Sequence, residues 1–263
     1  MEKKNSNEKK QYATGLVLSG GGARGFAHIG ALKALEESGI KPDIISGVSA
    51  GAIIGVLYAD GYSVNEIIEI FSSIKFGDFA EITVPRSGFF KMEGFRKFLK
   101  KILRAERFED LQCPLMITAT DLDHGKSISF NRGPIIDIVC ASCCIPVIFN
   151  PIKIDNIHYV DGGVFRNFPV KPIRHLCNTI IGINVNPLVT NEYKQTIINI
   201  AERAYSFMFK SNSFEDIKLC DILVQTNETT QYNIFDINSL NEIVDFGYKD
   251  TIAILQSLKI PIK

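Results

Sequence analysis

One pentapeptide constrains this chain more than any other feature: Gly47-Val48-Ser49-Ala50-Gly51. It has the form Gly-x-Ser-x-Gly. The short run Asp43-Ile44-Ile45-Ser46 stands before it, and an apolar helical stretch follows it to Tyr58. A serine on so sharp a strand-to-helix turn sits in a strained backbone at the carboxyl end of a sheet. Its hydroxyl is exposed, and the positive end of the helix points at it. Glycines two before and two after relieve the crowding. The chemical reading is a nucleophile; the plain reading is a Gly/Ser turn, and the pentapeptide alone leaves both open.

A second glycine turn precedes it. Leu16-Val17-Leu18 reads as a buried strand that ends in Ser19-Gly20-Gly21-Gly22-Ala23-Arg24-Gly25. Adjacent glycines leave backbone N–H groups unshielded, which suits an oxyanion hole or a phosphate cradle. Gly20, Gly22 and Gly25 also satisfy Gly-x-Gly-x-x-Gly, so a dinucleotide site has to be weighed. That site needs an acidic residue at the end of the second strand. Asp43 lies before that strand, and Gly47-Val48-Ser49 occupies the required place. No Gly-Lys-Ser/Thr follows, so a phosphate-binding P-loop is set aside.

From Gly15 onward strand and helix patterns alternate. Helices are expected over Ala27 to Ser38, from Gly51 to Tyr58, and over Val64 to Ile74, Glu93 to Leu103, Ile135 to Cys144, Tyr193 to Phe209 and Leu240 to Leu258. Strands are expected at Leu115 to Thr120, Lys126 to Phe130, Thr179 to Val185 and Ile222 to Val224. Ile152 to Ile154 and His158 to Val160 flank Asp155-Asn156 as a hairpin, and residues 76 to 92 read as irregular. The alternation implies an α/β fold, a three-layer α/β/α sandwich with a mostly parallel central sheet. Residues 1–12 read as a mobile charged tail and 13–263 as one domain.

Composition trims the functional classes. The 29 Lys+Arg balance 29 Asp+Glu, so a globally basic nucleic-acid binder is disfavoured. With 46% hydrophobic residues the chain is too apolar to be disordered. No apolar run reaches the roughly 18 residues of a membrane span, and no secretory leader is recognised. The six cysteines then read as reduced thiols, with the cytoplasm as the expected compartment.

A serine nucleophile needs a base. His28 lies on the first helix, where packing explains it. His124 and His158 lie in turns. His175 follows Asp161 by 14 residues and leaves a Ser49–Asp161–His175 triad formally available. Asp161, in Tyr159-Val160-Asp161-Gly162-Gly163, is the more distinctive acid, because it leaves a strand into two glycines.

In combination these blocks resemble the patatin-like phospholipase family, in particular its compact bacterial members. Gly20-Gly21-Gly22-Ala23-Arg24-Gly25 is similar to the family's oxyanion block, and Gly47-Val48-Ser49-Ala50-Gly51 to its nucleophile block. Ala141-Ser142-Cys143-Cys144-Ile145-Pro146 resembles its Ala-Ser-x-x-x-Pro block, and Asp161-Gly162-Gly163 its acidic block. The resemblance implies a patatin-like fold and a serine lipid acyl hydrolase of the phospholipase A or lysophospholipase kind. It implies Ser49 as nucleophile and Asp161 as base, without histidine. It also implies Gly20, Gly21 and Gly22 as an oxyanion loop supported by Arg24, with Gly25, Gly47, Gly51, Gly162 and Gly163 as motif glycines. The expected substrate is a lipid or phospholipid acyl ester, with no metal and no cofactor required. The rival readings are the histidine triad and a non-catalytic lipid- or nucleotide-binding regulator on the same fold.

Two further signals are weighed. Cys140-x-x-Cys143-Cys144 lacks the two additional ligands of a zinc site and reads as small buried residues. Between residues 86 and 104, Arg86, Lys91, Arg96, Lys97, Lys100, Lys101 and Arg104 face one acid, Glu93, a local charge of +6 interleaved with phenylalanines. A helix with a solvated basic face accounts for it, and so does peripheral contact with an anionic membrane.

Overall fold

The computed structural model describes residues 10–73, 81–82, 88–187 and 195–261. Its centre is strand β1 (Tyr12–Leu18), which pairs in parallel with β2 (Ile44–Val48) on one side and β10 (Cys177–Asn184) on the other. Beyond β10 lies β11 (Ile222–Gln225), and beyond β2 lies β5 (Leu115–Asp121), again parallel. Every residue of β2 is buried, as are Gly15 to Leu18 of β1. These strands are continuous apolar runs rather than alternating ones because both faces are covered.

At β5 the sheet changes character. β6 (Lys126–Phe130) and β9 (Ile157–Asp161) both pair antiparallel with β5, and β8 (Ile152–Ile154) closes a hairpin onto β9. The hairpin expected from Asp155-Asn156 is present. Both residues have positive φ, 48° and 66°, the mirror-image turn that matches strand twist. A small second sheet joins β3 (Glu81–Ile82), β4 (Gly88–Lys91) and β7 (Val147–Phe149).

One face of the large sheet is covered by α1 (Ala27–Glu37), α2 (Ala50–Ala59), α3 (Val64–Ser72), α4 (Glu93–Ile102), α5 (Ile135–Ser142) and α9 (Leu240–Ser257). The other carries α6 (Lys171–Arg174) and α8 (Phe214–Ile217), with Phe168, Val170 and Ile173 packed on Val17, Ile44 and Ile180. α7 (Ile197–Ser211) runs beside the turn that follows β9. Helices α1 and α9 cross at backbone distance: a Cβ on Gly247 would stand 1.9 Å from the Ala27 carbonyl oxygen.

The expected three-layer α/β/α sandwich is therefore observed, with two corrections. Tyr12 is not tail but the first residue of β1, registered on Cys177; residues 1–9 of the expected tail lie outside the described residues. Within residues 76–92, read as irregular, the backbone forms β3 and β4, while 76–80 and 83–87 lie outside the described residues. Strands of only two and four residues, β3 paired with β4 and β4 with β7 far along the chain, leave no local periodicity to read.

Candidate active site

Ser49 stands between β2 and α2 with φ 52° and ψ −122°, a conformation that a residue with a Cβ adopts only when its surroundings hold it there. The surroundings are visible. A Cβ on Gly47 would lie 2.5 Å from the Gly51 carbonyl oxygen, and one on Gly51 would lie 2.3 Å from that of Leu18. The turn is folded against β1 so closely that only glycine fits. The Ser49 N–H donates to Ser142 Oγ at 2.9 Å, and the Ser142 hydroxyl donates onward to the Thr118 carbonyl at 2.7 Å. Ser142, fully buried in α5, thus pins the strained turn to β5.

The Ser49 hydroxyl donates to Asp161 Oδ2 at 2.7 Å, and the other carboxylate oxygen accepts the Gly163 N–H at 2.7 Å. Asp161 ends β9. Its own N–H is bonded to the Cys144 carbonyl, and its carbonyl accepts from Thr120 Oγ1. Burial pushes the Asp161 carboxyl up to about 6, while the hydrogen bonds from Ser49 and Gly163 oppose the rise. A group with that value is ionised at neutral pH yet basic enough to take a proton.

The glycine loop divides its labour. The Gly20 N–H is spent on the Asn167 carbonyl at 3.1 Å, so Gly20 is not a free donor. The N–H groups of Gly21 and Gly22 carry no hydrogen bond among the described residues, and both glycines line a narrow cleft with Ser49 and Asp161. Gly22 has φ +58°, and a Cβ there would be 2.3 Å from the Ile234 carbonyl oxygen, which also accepts the Ala23 N–H. Buried Arg24 donates from Nε to the Tyr232 carbonyl and from Nη1 to Asn186 Oδ1, each at 2.9 Å.

The histidines lie elsewhere. His28 Nε2 bonds the Ser19 carbonyl; burial lowers its pKa to about 4, so it is a neutral anchor for the strand end. His124 pairs with Asp121 and His158 with Asp123. His175 lines a surface hollow with Met116 and Lys171 and hydrogen-bonds neither Ser49 nor Asp161, so the structure does not assemble the triad. Among the described residues no group of three or more His, Cys, Asp or Glu is placed to hold a metal ion. All six cysteines are free thiols, and burial raises the pKa values of Cys140, Cys143 and Cys144.

On one side of Ser49 opens an apolar cavity of about 170 Å³, with Phe26, Ile53, Phe71, Met92, Phe95 and Phe149 in its wall. Helix α4 therefore turns Phe95 and Leu99 inward while Lys97, Lys100 and Lys101 are exposed. The basic stretch is less free than its +6 suggests: Arg96 pairs with Asp137 and Glu93, and Arg104 pairs with Glu66 over the Tyr62 ring. The side chains of Arg86 and Lys91 lie outside the described residues.

Sequence reasoning missed the residues that hold these parts together. Ser142 lay inside a recognised block, but its hydrogen bond to the nucleophile's N–H has no local signature. Asn212 Nδ2 donates to the Gly163 carbonyl while its Oδ1 accepts the Asn167 N–H, tying the end of α7 to both loops.

The sequence matches the Patatin-like phospholipase family over residues 16–173, and the chain belongs to that family. It is 30% identical over 202 residues to an uncharacterized NTE family protein of Mycobacterium bovis, covering 75% of this chain and 56% of the relative. It is 32% identical to lysophospholipase NTE1 of Candida glabrata, over 66% of this chain but 10% of that protein. With the mouse patatin-like phospholipase domain-containing protein 6 the identity is 32%, over 65% of this chain and 13% of the relative. The chain thus spans little more than half of the mycobacterial protein and a small part of the eukaryotic ones. In fold it is similar to VipD from Legionella pneumophila, with TM-score 0.56, 15% identity and coverage of 98% of this chain and 72% of the other. It is also similar to human GIVD cytosolic phospholipase A2, with TM-score 0.51 and 12% identity over 95% and 59% of the two chains. No helix among the described residues is long and apolar enough to cross a membrane.

Proposed function

We propose that this chain is a serine lipid acyl hydrolase of the phospholipase A or lysophospholipase kind, working through a Ser49–Asp161 dyad. The observation that carries the reading is the 2.7 Å hydrogen bond from a strained, cavity-facing Ser49 hydroxyl to a buried carboxylate. Asp161 takes the Ser49 proton as Oγ attacks the ester carbonyl. The carbonyl π electrons move to oxygen, and that oxyanion faces the N–H groups of Gly21 and Gly22. The tetrahedral centre collapses, the alcohol departs with the proton held by Asp161, and an acyl-serine remains. Water then gives a proton to Asp161 and attacks the acyl carbonyl, releasing fatty acid and returning the proton to Ser49. The apolar cavity beside Ser49 takes the acyl chain. No step calls for a metal or cofactor.

Two further points belong to this reading. The exposed Lys97, Lys100 and Lys101 on α4, whose inner face lines that cavity, suit peripheral contact with an anionic membrane. The six free thiols suit a reducing cytoplasm.

The test is a panel of acyl esters, from short nitrophenyl esters to phospholipids, with fluorophosphonate labelling alongside. Wild type hydrolyses long-chain esters and is labelled on Ser49. Ser49→Ala loses both, Asp161→Asn loses hydrolysis, and His175→Ala keeps most activity. A collapse of the histidine variant refutes the dyad. Folded wild type that neither reacts with the probe nor hydrolyses any ester refutes the enzyme and favours a binding regulator.

A further inference from the structure

The dyad and the glycine loop work together only if two turns keep their places around Ser49. One carries Asp161 into Gly162-Gly163, and the other is Gly20 to Gly22. Asn167 lies between them and is 1% exposed. Its carbonyl accepts the Gly20 N–H at 3.1 Å, and its Nδ2 reaches back to the Gly20 carbonyl at 3.4 Å. Its Oδ1 has no hydrogen-bond partner among the described residues and fills the gap between the turns. A Cβ on Gly20 would stand 2.3 Å from it, and one on Gly163 2.8 Å. A buried oxygen left unbonded is costly, so the spacer has to be held where it is.

The hold comes from Asn212, in the turn that follows α7. Its Oδ1 accepts the Asn167 N–H at 2.8 Å, and its Nδ2 donates to the carbonyls of Gly163 at 2.7 Å and Val164 at 3.2 Å. The partners fix which way the amide points: an N–H calls for the oxygen, and two carbonyls call for the nitrogen. Asparagine supplies both; aspartate lacks the donor and alanine lacks both. Gly163 is also the residue whose N–H bonds Asp161 Oδ1 at 2.7 Å. One side chain thus reaches the base through Gly163 and the glycine loop through Asn167. Asn212 lies beyond the stretch matched to the family, residues 16–173, and no motif block marks it.

We propose that Asn212 is a positioning residue, which sets the Asp161 turn and the glycine loop in register around Ser49 by gripping Gly163 and Asn167 with one amide. The inference rests on the acyl-hydrolase reading and deepens it, adding to the dyad a residue that acts through its neighbours rather than on the substrate. The wall of the apolar cavity contains none of Asn212, Asn167 and Gly163, so binding of the acyl chain does not depend on the grip.

The first experiment measures kcat and KM on a nitrophenyl ester, with the pH profile of kcat/KM. The Gly163 N–H opposes the rise that burial imposes on the Asp161 carboxyl, so a slackened Gly163 lets that carboxyl rise further. Loss of a hydrogen bond to a charged group moves a titration by roughly one pH unit. Asn212→Ala should therefore shift the acid limb upward from about 6 by roughly that amount. The Cys143 and Cys144 thiols beside Asp161 are raised by burial and stay neutral across this range. At pH 8 kcat should fall by about 100-fold, the scale of a misplacement of about 1 Å, with KM little changed. Asn212→Asp, nearly isosteric but ionised and without the donor, should lose as much kcat at pH 8. Asp216→Ala is the control for stability. It removes the acceptor of the Val170 and Lys171 N–H groups, a grip from α8 that bonds neither turn. It should unfold at a lower urea concentration and leave the acid limb in place. The proposal is overturned by an acid limb that stays put in Asn212→Ala or moves as far in Asp216→Ala. A loss confined to KM, or wild-type kcat in Asn212→Asp, overturns it too.

The second experiment needs no turnover. NMR follows the Gly163 amide proton through a pH titration. In wild type it titrates with Asp161 near pH 6; in Asn212→Ala it moves upfield as its hydrogen bond weakens, and its midpoint rises. An unchanged Gly163 signal overturns the grip. An enzyme inert to every ester refutes the hydrolase reading, and the NMR titration still decides what Asn212 does.

Discussion

Asp161→Asn separates what the buried carboxylate does for chemistry from what it does to the fold. In the folded protein the carboxyl is raised from 3.8 to about 6, so it binds its proton more tightly there than in the unfolded chain. By linkage, Asp161 lowers stability as pH rises from about 4 to 6, and the cost is complete above pH 6. Two pKa units at about 1.4 kcal/mol each give about 3 kcal/mol, an upper figure for the cost of holding this charge in a largely buried site. Asparagine is nearly isosteric. Its oxygen can accept the Gly163 N–H, and its amide can donate to Ser49 Oγ once that hydroxyl turns, so the neutral variant keeps both contacts. Urea unfolding at pH 8 should therefore find Asp161→Asn up to about 3 kcal/mol more stable than wild type, and hydrolysis should be lost. Measured down a pH series, the advantage should shrink between pH 6 and 4, where wild type becomes neutral too. An Asn variant that is equal or less stable at pH 8, or whose advantage ignores pH, would refute the assignment of the raised pKa to burial of this charge.

Three other outcomes follow from the geometry. Ser142→Ala leaves the buried Ser49 N–H without an acceptor, which should cost about 1–3 kcal/mol in urea unfolding and lower kcat as the turn relaxes. Gly22→Ala forces a Cβ onto the Ile234 carbonyl at a residue with positive φ; hydrolysis should fall by about 100-fold or more, the scale of one lost oxyanion donor, while fluorophosphonate still reaches Ser49 slowly. Charge reversal at Lys97, Lys100 and Lys101 should weaken co-sedimentation with anionic vesicles and leave hydrolysis of a short soluble ester in place; unchanged sedimentation would leave α4 with a merely solvated face.

The parts legible in the sequence were those whose physics is local. Each strand-to-helix glycine turn lies within seven residues, and the apolar runs flanking it declare buried strands. The hairpin at Asp155-Asn156 is legible for the same reason. What was illegible depends on partners far along the chain. That Gly20 is occupied and Gly21 is not follows from Asn167, and no spacing within the glycine loop expresses it. The irregular stretch concealed β4, which exists because β7 lies alongside. The net charge of zero concealed a basic stretch, and the +6 of residues 86–104 in turn concealed that Arg96 and Arg104 are already paired.

The glycine loop also imposes a schedule on synthesis. Residues 20–25 are made well before two of their supports: Ala23 and Arg24 are held by the carbonyls of Ile234 and Tyr232, the latter 208 positions later. At ribosomal rates of about 5–20 residues per second, roughly 10–40 s separate the two. Until then the nucleophile turn can fold while the loop opposite it lacks the braces at Ala23 and at the Arg24 Nε. A nascent chain emerging near a membrane would therefore carry its serine before the loop that serves it is fully braced, and activity would switch on only once residues 232–234 are delivered.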